Sequence, residues 1–340
     1  MILFYISVGK NIGIGHLKRC GYLAQKLKQL NFDLKFIIIN DKYSIDYLKK
    51  NQFKYKIVKN IEFDIINNNT IINDYRVILL DMLNINGVIT RALKEKNTKI
   101  KIIALDYFDM EDSNVDTIIN LINHNPNFTK PIHKKVKYLE GVKYGIIRNE
   151  FIPFTNKAKK KSNIFKILIT FGGSDPQNYT LRILPNLVPL LEMYLFNVEI
   201  IVGPNYIYTE ILNKYINILS LDCIKIIFSP NNIPEIMHDS DVVISGSGTT
   251  AIELATLGIP SILLPQNINE LHFAEIFKNA GFSIIGCDLD EIFFNKIFQY
   301  ITDIYHGKIS TENINKIGKK MCQGNGTELI CNEIIELYGN

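Results

Sequence analysis

Gly13-Ile14-Gly15-His16-Leu17-Lys18-Arg19 separates an apolar run, Ile2-Leu3-Phe4-Tyr5-Ile6, from a stretch whose apolar residues Leu23, Leu27 and Leu30 recur at helical spacing. Strand, glycine turn and helix in that order open a doubly wound α/β domain. The turn lets backbone N–H groups around Gly13 and Gly15 approach an anionic ligand, and the helix N-terminus adds partial positive charge. His16 stands in the same turn, where an imidazole adds proton-transfer chemistry. The segment is not a G-x-G-x-x-G fingerprint, because Lys18 occupies the third glycine position, and it is not a Walker loop. On these residues alone His16 reads equally well as a hydrogen-bonded, helix-capping histidine.

Working outward, the first half alternates short apolar runs with helical patterns. Strands are predicted at 2–7, 34–39, 55–58, 77–81, 101–105 and 117–120, with helices near 16–31, 43–51 and 87–96. Apolar runs without polar alternation suit strands buried on both faces of a parallel sheet. Asp81 and Asp106 close two of these strands, so they point toward the crevice that holds His16, because ligands in open α/β sheets bind off the strand carboxyl ends. Taken singly, each aspartate reads as well as a turn or helix cap. A polar, basic stretch over 151–163 reads as a linker. Beyond it a second series places strands at 165–170, 198–202, 224–228, 242–245, 261–264 and 283–286. Its helices are predicted at 178–193, 207–216, 232–238, 249–257, 269–280 and 289–304, and 310–338 reads as one or two more. The fold class is therefore α/β, with two Rossmann-like doubly wound domains expected to face a central cleft. The domains are set at 1–155 and 163–325, followed by a C-terminal helix over 326–340 for which packing across the junction is one arrangement.

At 340 residues the chain has the length of about two domains of ~100–200 residues. Hydrophobic residues at 47% and charged residues at 21% are ordinary for a globular protein. The net charge of +4 is spread along the chain, and the basic run over 157–161 reads as a solvated linker, which argues against nucleic acid as a partner. Five cysteines lack C-x-x-C spacing, which argues against zinc or a disulfide framework and fits a reduced cytoplasmic setting. The opening apolar run is too short for a signal peptide. No window reaches the ~18 uninterrupted apolar residues of a membrane span, so stable membrane insertion is not expected. No metal or other cofactor is expected, and the oligomeric state is not legible.

The second half repeats the strand–glycine-turn–helix design twice. Gly172-Gly173-Ser174-Asp175 follows a predicted strand; paired glycines permit close backbone approach, Ser174 can donate to a phosphate oxygen, and Asp175 can cap the next helix. A plain turn is the competing reading there. Gly246-Ser247-Gly248-Thr249-Thr250 is the stronger case, with hydroxyls, amides and a helix dipole able to cradle a diphosphate. Glu253 lies one turn further on, on the side of the loop, where a carboxylate can accept both ribose hydroxyls of a nucleotide. After the next strand, Asn269 and Glu270 open a helix, where an amide and an acid suit sugar hydroxyls; Asn269 as a bare N-cap is the alternative.

These motifs, in this order, resemble the GT-B superfamily of nucleotide-sugar enzymes, in the branch around the peptidoglycan GlcNAc transferase. More closely they resemble the UDP-2,4-diacetamido-2,4,6-trideoxy-β-L-altropyranose hydrolases of pseudaminic acid biosynthesis. The resemblance rests on the Gly-x-Gly-His-x-x-Arg signature matched by Gly13 to Arg19, on Tyr144-Gly-Ile-Ile-Arg148-Asn-Glu-Phe151, on Gly172-Gly173-Ser174-Asp175 and on Asn269. It implies that His16 is the general base for a water attacking the anomeric carbon, with inversion and departure of UDP. It further implies that Gly13, Gly15, Arg19, Asp81, Asp106, Asn269 and Glu270 meet the sugar side. UDP would lie on Gly172, Gly173, Ser174, Ser247, Gly248, Thr249, Thr250 and Glu253, with a UDP-sugar as the small-molecule partner. The chain departs from the hydrolases at Tyr5 and Ser7, at Met82-Leu83 after Asp81, and partly at Asp106-Tyr107-Phe108-Asp109, all on the sugar side. The leading expectation is therefore an inverting UDP-sugar hydrolase serving surface-glycan or pseudaminic-like acid biosynthesis. The alternative is a GT-B glycosyltransferase with a UDP-sugar donor, and a third reading is a catalytically silent nucleotide-sugar-binding subunit.

Overall fold

The structure, a computed structural model, describes residues 1–9, 15–67, 70, 72–109, 111–121, 133, 135–159, 162–286 and 289–339. The chain splits into two compact units, Met1–Arg148 with Asn325–Asn340, and Asn149–Gly324.

The first unit carries β1 (Ile2–Ile6), α1 (Gly15–Gln29), β2 (Leu34–Ile39), α2 (Lys42–Lys50), β3 (Lys54–Val58), α3 (Ile61–Ile66), β4 (Val77–Asp81), α4 (Gly87–Lys96), β5 (Lys101–Leu105), β6 (Thr117–Asn120) and β7 (Lys137–Glu140). Its sheet has the order β3-β2-β1-β4-β5-β6-β7, and every pairing is parallel. All five residues of β1 are buried because helices cover both faces. Ile2, Phe4 and Ile6 pack with Leu17, Leu23 and Leu27 of α1 on one face. Leu3 and Tyr5 pack with Ile89 and Leu93 of α4 on the other, as the two-residue period of a strand demands. Two elements escaped the apolar-run reading. β7 reads Lys-Tyr-Leu-Glu with exposed charged ends, as a short edge strand does. α3 is only six residues, capped by the Asn60 side chain accepting from Phe63 N–H.

The second unit carries β8 (Phe165–Thr170), α5 (Tyr179–Met193), β9 (Phe196–Val202), α6 (Thr209–Leu219), β10 (Ile224–Phe228), α7 (Ile233–His238), β11 (Val242–Ser245), α8 (Thr249–Leu257), β12 (Ser261–Leu263), α9 (Ile268–Asn279), β13 (Ser283–Ile285), α10 (Glu291–Tyr305) and α11 (Thr311–Met321). The sheet order is β10-β9-β8-β11-β12-β13, again all parallel. Both sheets thus run outward from their first strand in one direction and then reverse, which makes a switch point beside that strand.

One stretch differs from the linker expected of it. Residues Asn149–Phe154 form a 3-10 helix that belongs to the second unit. Lys157 and Lys159 of that stretch lie on the same unit: His238 Nε2 donates to the Lys157 carbonyl at 3.0 Å and Lys159 Nζ to the Ser240 carbonyl at 2.8 Å. The terminal helix α12 (Gly326–Gly339) belongs to the first unit, where Ile330 and Ile334 join the α1 face of the core. Glu333, buried there, accepts from the Thr117 hydroxyl at 2.7 Å and from Lys137 Nζ at 2.5 Å. A Cβ on Gly326 would stand 2.2 Å from the Gly145 carbonyl oxygen, so only glycine lets α12 start against that main chain.

Candidate active site

In the first unit four polar side chains meet at the switch point. β1 and β5 flank β4, Asp81 is the last residue of β4 opposite Ile6, and Asp106 follows β5 directly. His16 and Arg19, one turn apart, look out from the start of α1 on the same side. Asp81 is fully buried and receives three side chains. His16 Nδ1 lies 2.6 Å from its Oδ1, Arg19 Nε donates to Oδ2 at 2.7 Å, and Arg19 Nη2 closes the fork on Oδ1. Arg19 Nη1 then reaches Asp106 Oδ2 at 2.6 Å. Cys20, also buried, donates its thiol to Asp81 Oδ2 at 3.2 Å.

The charges explain one another. Burial alone would raise the Asp81 pKa, but the Arg19 charge and the hydrogen bonds from Arg19 and His16 outweigh it and hold the carboxyl well below the usual range. Burial likewise opposes the Arg19 charge, and Asp81, aided by Asp106, more than compensates and pushes the guanidinium above its ordinary value. An ionised carboxylate only accepts, so the 2.6 Å contact favours the Nδ1–H tautomer of a neutral His16, with Arg19 Nη2 at 3.2 Å from the same nitrogen. The lone pair of that tautomer is on Nε2, which has no partner among the described residues, on a side chain that is 18% exposed. The dyad can therefore take a proton at Nε2 while Asp81 stabilises the imidazolium that forms. Asp106 holds its position with φ +52°, a left-handed conformation that aspartate tolerates, and its carboxylate is 31% exposed. Gly13 lies outside the described residues. Gly15 starts α1 exposed, and a Cβ there would meet nothing within 4 Å.

In the second unit the two glycine turns flank the corresponding switch point, after β8 and after β11, whose ends pair as Thr170 with Ser245. Gly172 has φ +71°, and Gly203 at the end of β9 passes so close beneath that a Cβ on it would stand 2.3 Å from the Gly172 carbonyl oxygen. Gly172, Gly173 and Ser174 are exposed. Asp175, buried, accepts from Tyr179 N–H at 2.8 Å and Thr180 N–H at 2.9 Å and so caps α5. The second turn lacks such a cap: the N-cap of α8 is Gly248, which supplies no side-chain bond. Ser247 is buried, Thr249 exposed and Thr250 intermediate, while Glu253 is buried within α8.

The loop after β12 meets this turn through Glu270. Its carboxylate Oε2 accepts from Ser247 N–H at 3.2 Å and Gln266 N–H at 3.0 Å, and its carbonyl accepts from the Ser247 hydroxyl at 2.8 Å. Asn267, not Asn269, caps α9, accepting from Glu270 N–H at 3.0 Å; Asn269 is exposed in the first turn. Sequence reading passed over Cys20, Gly203 and Gln266; the Val-Gly-Pro break after β9 was the one local signal for any of them. Among the described residues no group of three or more His, Cys, Asp or Glu could hold a metal ion, and no helix is long and apolar enough to cross a membrane.

Comparison with known proteins adds the family context. Residues 167–320 match the model of the glycosyltransferase family 28 C-terminal domain. The protein MJ1062 of Methanocaldococcus jannaschii is 31% identical over 75% of this chain, which spans about half, 54%, of that relative. The spore coat polysaccharide biosynthesis protein SpsG of Bacillus subtilis is 21% identical over 97% of this chain and 96% of its own. Among solved structures, Acinetobacter baumannii MurG superposes with a TM-score of 0.69 at 14% identity, covering 98% of this chain and 99% of its own. Anabaena HepE in complex with UDP follows at 0.64 and 12%, covering 98% and 99%. With two parallel-sheet α/β units and these neighbours, the chain has the GT-B fold, and the stretch of its second unit over 167–320 is similar to the family 28 C-terminal domain.

Proposed function

We propose that this chain is a UDP-sugar-dependent glycosyltransferase in which the second unit holds the nucleotide and the first supplies the base. The observation that carries the reading is the His16–Asp81 dyad at the switch point of the first sheet, with Nε2 left without a partner among the described residues. The family 28 match over the second unit and the UDP complex of HepE support the nucleotide half. In this reading Nε2 removes the proton from an acceptor hydroxyl as its oxygen attacks the anomeric carbon. The C–O bond to the diphosphate breaks and configuration inverts. Departing UDP gathers negative charge, which the amides and hydroxyls of Ser247, Gly248, Thr249 and Thr250 stabilise, with Glu253 on the ribose hydroxyls and Gly172, Gly173 and Ser174 on the diphosphate. Arg19 and Asp106 orient Asp81 and face the sugar; Gly13, Gly15 and Asn269 join that side.

The match of residues 167–320 to the glycosyltransferase family 28 C-terminal domain favours transfer over hydrolysis, the reading that the N-terminal motif puts first. Hydrolysis stays as the second reading because of the Gly-x-Gly-His-x-x-Arg match, since water and an alcohol pose the same proton problem to His16. Participation in polysaccharide synthesis belongs to this proposal as well, on the SpsG likeness, and pseudaminic-type acid synthesis on the N-terminal motif alone. The experiment is UDP release from a panel of UDP-sugars, with and without acceptor sugars, with NMR of the anomeric product. Release that requires an acceptor and is lost about 10²–10⁴-fold in His16→Ala supports transfer. Acceptor-independent release supports hydrolysis, and full activity in His16→Ala refutes both.

A further inference from the structure

The two helix starts beside the second switch point are both covered by carboxylates, but by different kinds. Asp175 belongs to its own turn, is buried, and caps α5 through two amides. Glu270 comes from another element, the first turn of α9, and is only partly buried. It lies over a turn whose own helix has no side-chain cap. Its contact is close: a Cβ on Gly246 or on Gly248 would stand 3.6 Å from Oε2 or Oε1. The carboxylate therefore sits where the backbone of 246–248 opens, on the Ser247 N–H that an incoming phosphate oxygen would need.

We infer that Glu270 is an internal counter-anion, seated in the diphosphate cradle of the unliganded protein and exchanged for the nucleotide's diphosphate. The inference rests on the reading of 246–250 as the diphosphate site. One N–H cannot serve two anions, and two anions sharing a turn repel, so Glu270 must leave before a phosphate oxygen binds there. It can leave without burying its charge. The side chain has a solvent-facing side, and the first turn of α9 favours a carboxylate through the helix dipole. The exchange also signals across loops, because Oε2 holds Gln266 N–H as well as Ser247 N–H. Displacement frees the Gln266 amide and so loosens the loop between β12 and α9. When UDP departs, Glu270 returns to the turn and competes against rebinding of product. This assigns Glu270 to the diphosphate turn, in place of the sugar-hydroxyl role its position in the sequence suggests.

The test is calorimetric titration of the full chain and of Glu270→Gln and Glu270→Ala with UDP, inorganic pyrophosphate and uridine. Removing a charge-assisted competitor should tighten UDP and pyrophosphate by about tenfold and leave uridine unchanged, because uridine brings no anion to the turn. The melting temperature of unliganded Glu270→Gln should fall or hold, while its rise on adding UDP should exceed that of the parent chain. UDP binding to the parent with no tightening in either variant overturns the inference and leaves the nucleotide reading standing. Weaker UDP binding in both variants makes Glu270 a ligand-contacting group and likewise overturns it. No binding of UDP or pyrophosphate to any of the three proteins refutes the nucleotide reading and the inference with it.

Discussion

The two sheets share one strand order up to the edge, yet their switch points are finished in opposite ways. In the first unit the side chains at the strand ends satisfy one another: Asp81 gathers His16, Arg19 and Cys20, and Arg19 carries on to Asp106. In the second unit the strand ends lead into glycine turns, and the Ser247 N–H of one of them is held by a carboxylate borrowed from α9. One switch point is a prearranged set of charges, and in the proposed function the other is the diphosphate cradle. On that proposal the same scaffold serves proton transfer where buried partners fix a side chain, and anion binding where glycines leave main-chain N–H groups for a ligand.

The comparison breaks most sharply at Asp81. In Asp81→Asn the side-chain amide can donate to Nδ1 and favour the other tautomer, so turnover should fall about 10³–10⁴-fold while UDP affinity changes little. Steady-state kinetics alongside UDP titration checks this, and turnover within tenfold of the parent would refute the dyad. The same variant reports on acid stability. The Asp81 pKa is held below its ordinary value by Arg19 and His16 against the opposing effect of burial. The stability it contributes is complete above the unfolded value of about 3.9 and is lost as pH falls below that toward the folded value. Denaturant melts from about pH 5 to pH 3 should therefore steepen in the parent relative to Asp81→Asn. A smaller effect is expected on the cradle side, where Glu253→Ala should weaken UDP about tenfold without touching pyrophosphate, if it serves ribose. Equal affinity for UDP in parent and variant would remove Glu253 from the site. The smallest effect belongs to Asp175, whose replacement by Ala should cost about 1 kcal/mol of stability through the lost cap. UDP affinity should stay within about twofold, in contrast to the shift at Glu270, because a buried local cap does not compete with a ligand.

Much of the architecture was legible because parallel strands covered on both faces write themselves as unbroken apolar runs, as in Val77-Ile78-Leu79-Leu80 or Val242-Val243-Ile244. β7 broke that rule at a sheet edge, where Tyr138 and Leu139 are only partly buried between the exposed Lys137 and Glu140. Strand ends also carried information: Asp81 and Asp106 stand on neighbouring strands, and the chain order of the strands was enough to bring them beside the start of α1. What sequence could not carry was contact made across the sheet's end. Cys20 reaches Asp81 only because β1 and β4 are neighbours, and Glu270 reaches Ser247 only because β11 and β12 are. The cap of α9 shows the local counterpart, since Asn267 and Asn269 are the same residue type two places apart and only backbone geometry selects the first.

The seating of α12 has a consequence for the order in which this polypeptide acquires its structure. The first unit is discontinuous: its sheet is written in the opening 148 residues, but its closing helix starts only after Gly324. A ribosome therefore delivers the whole second unit before the first can cover the α1 side of its core with Ile330 and Ile334. During synthesis the N-terminal sheet waits with that apolar surface bare, and the later half is the one able to finish first.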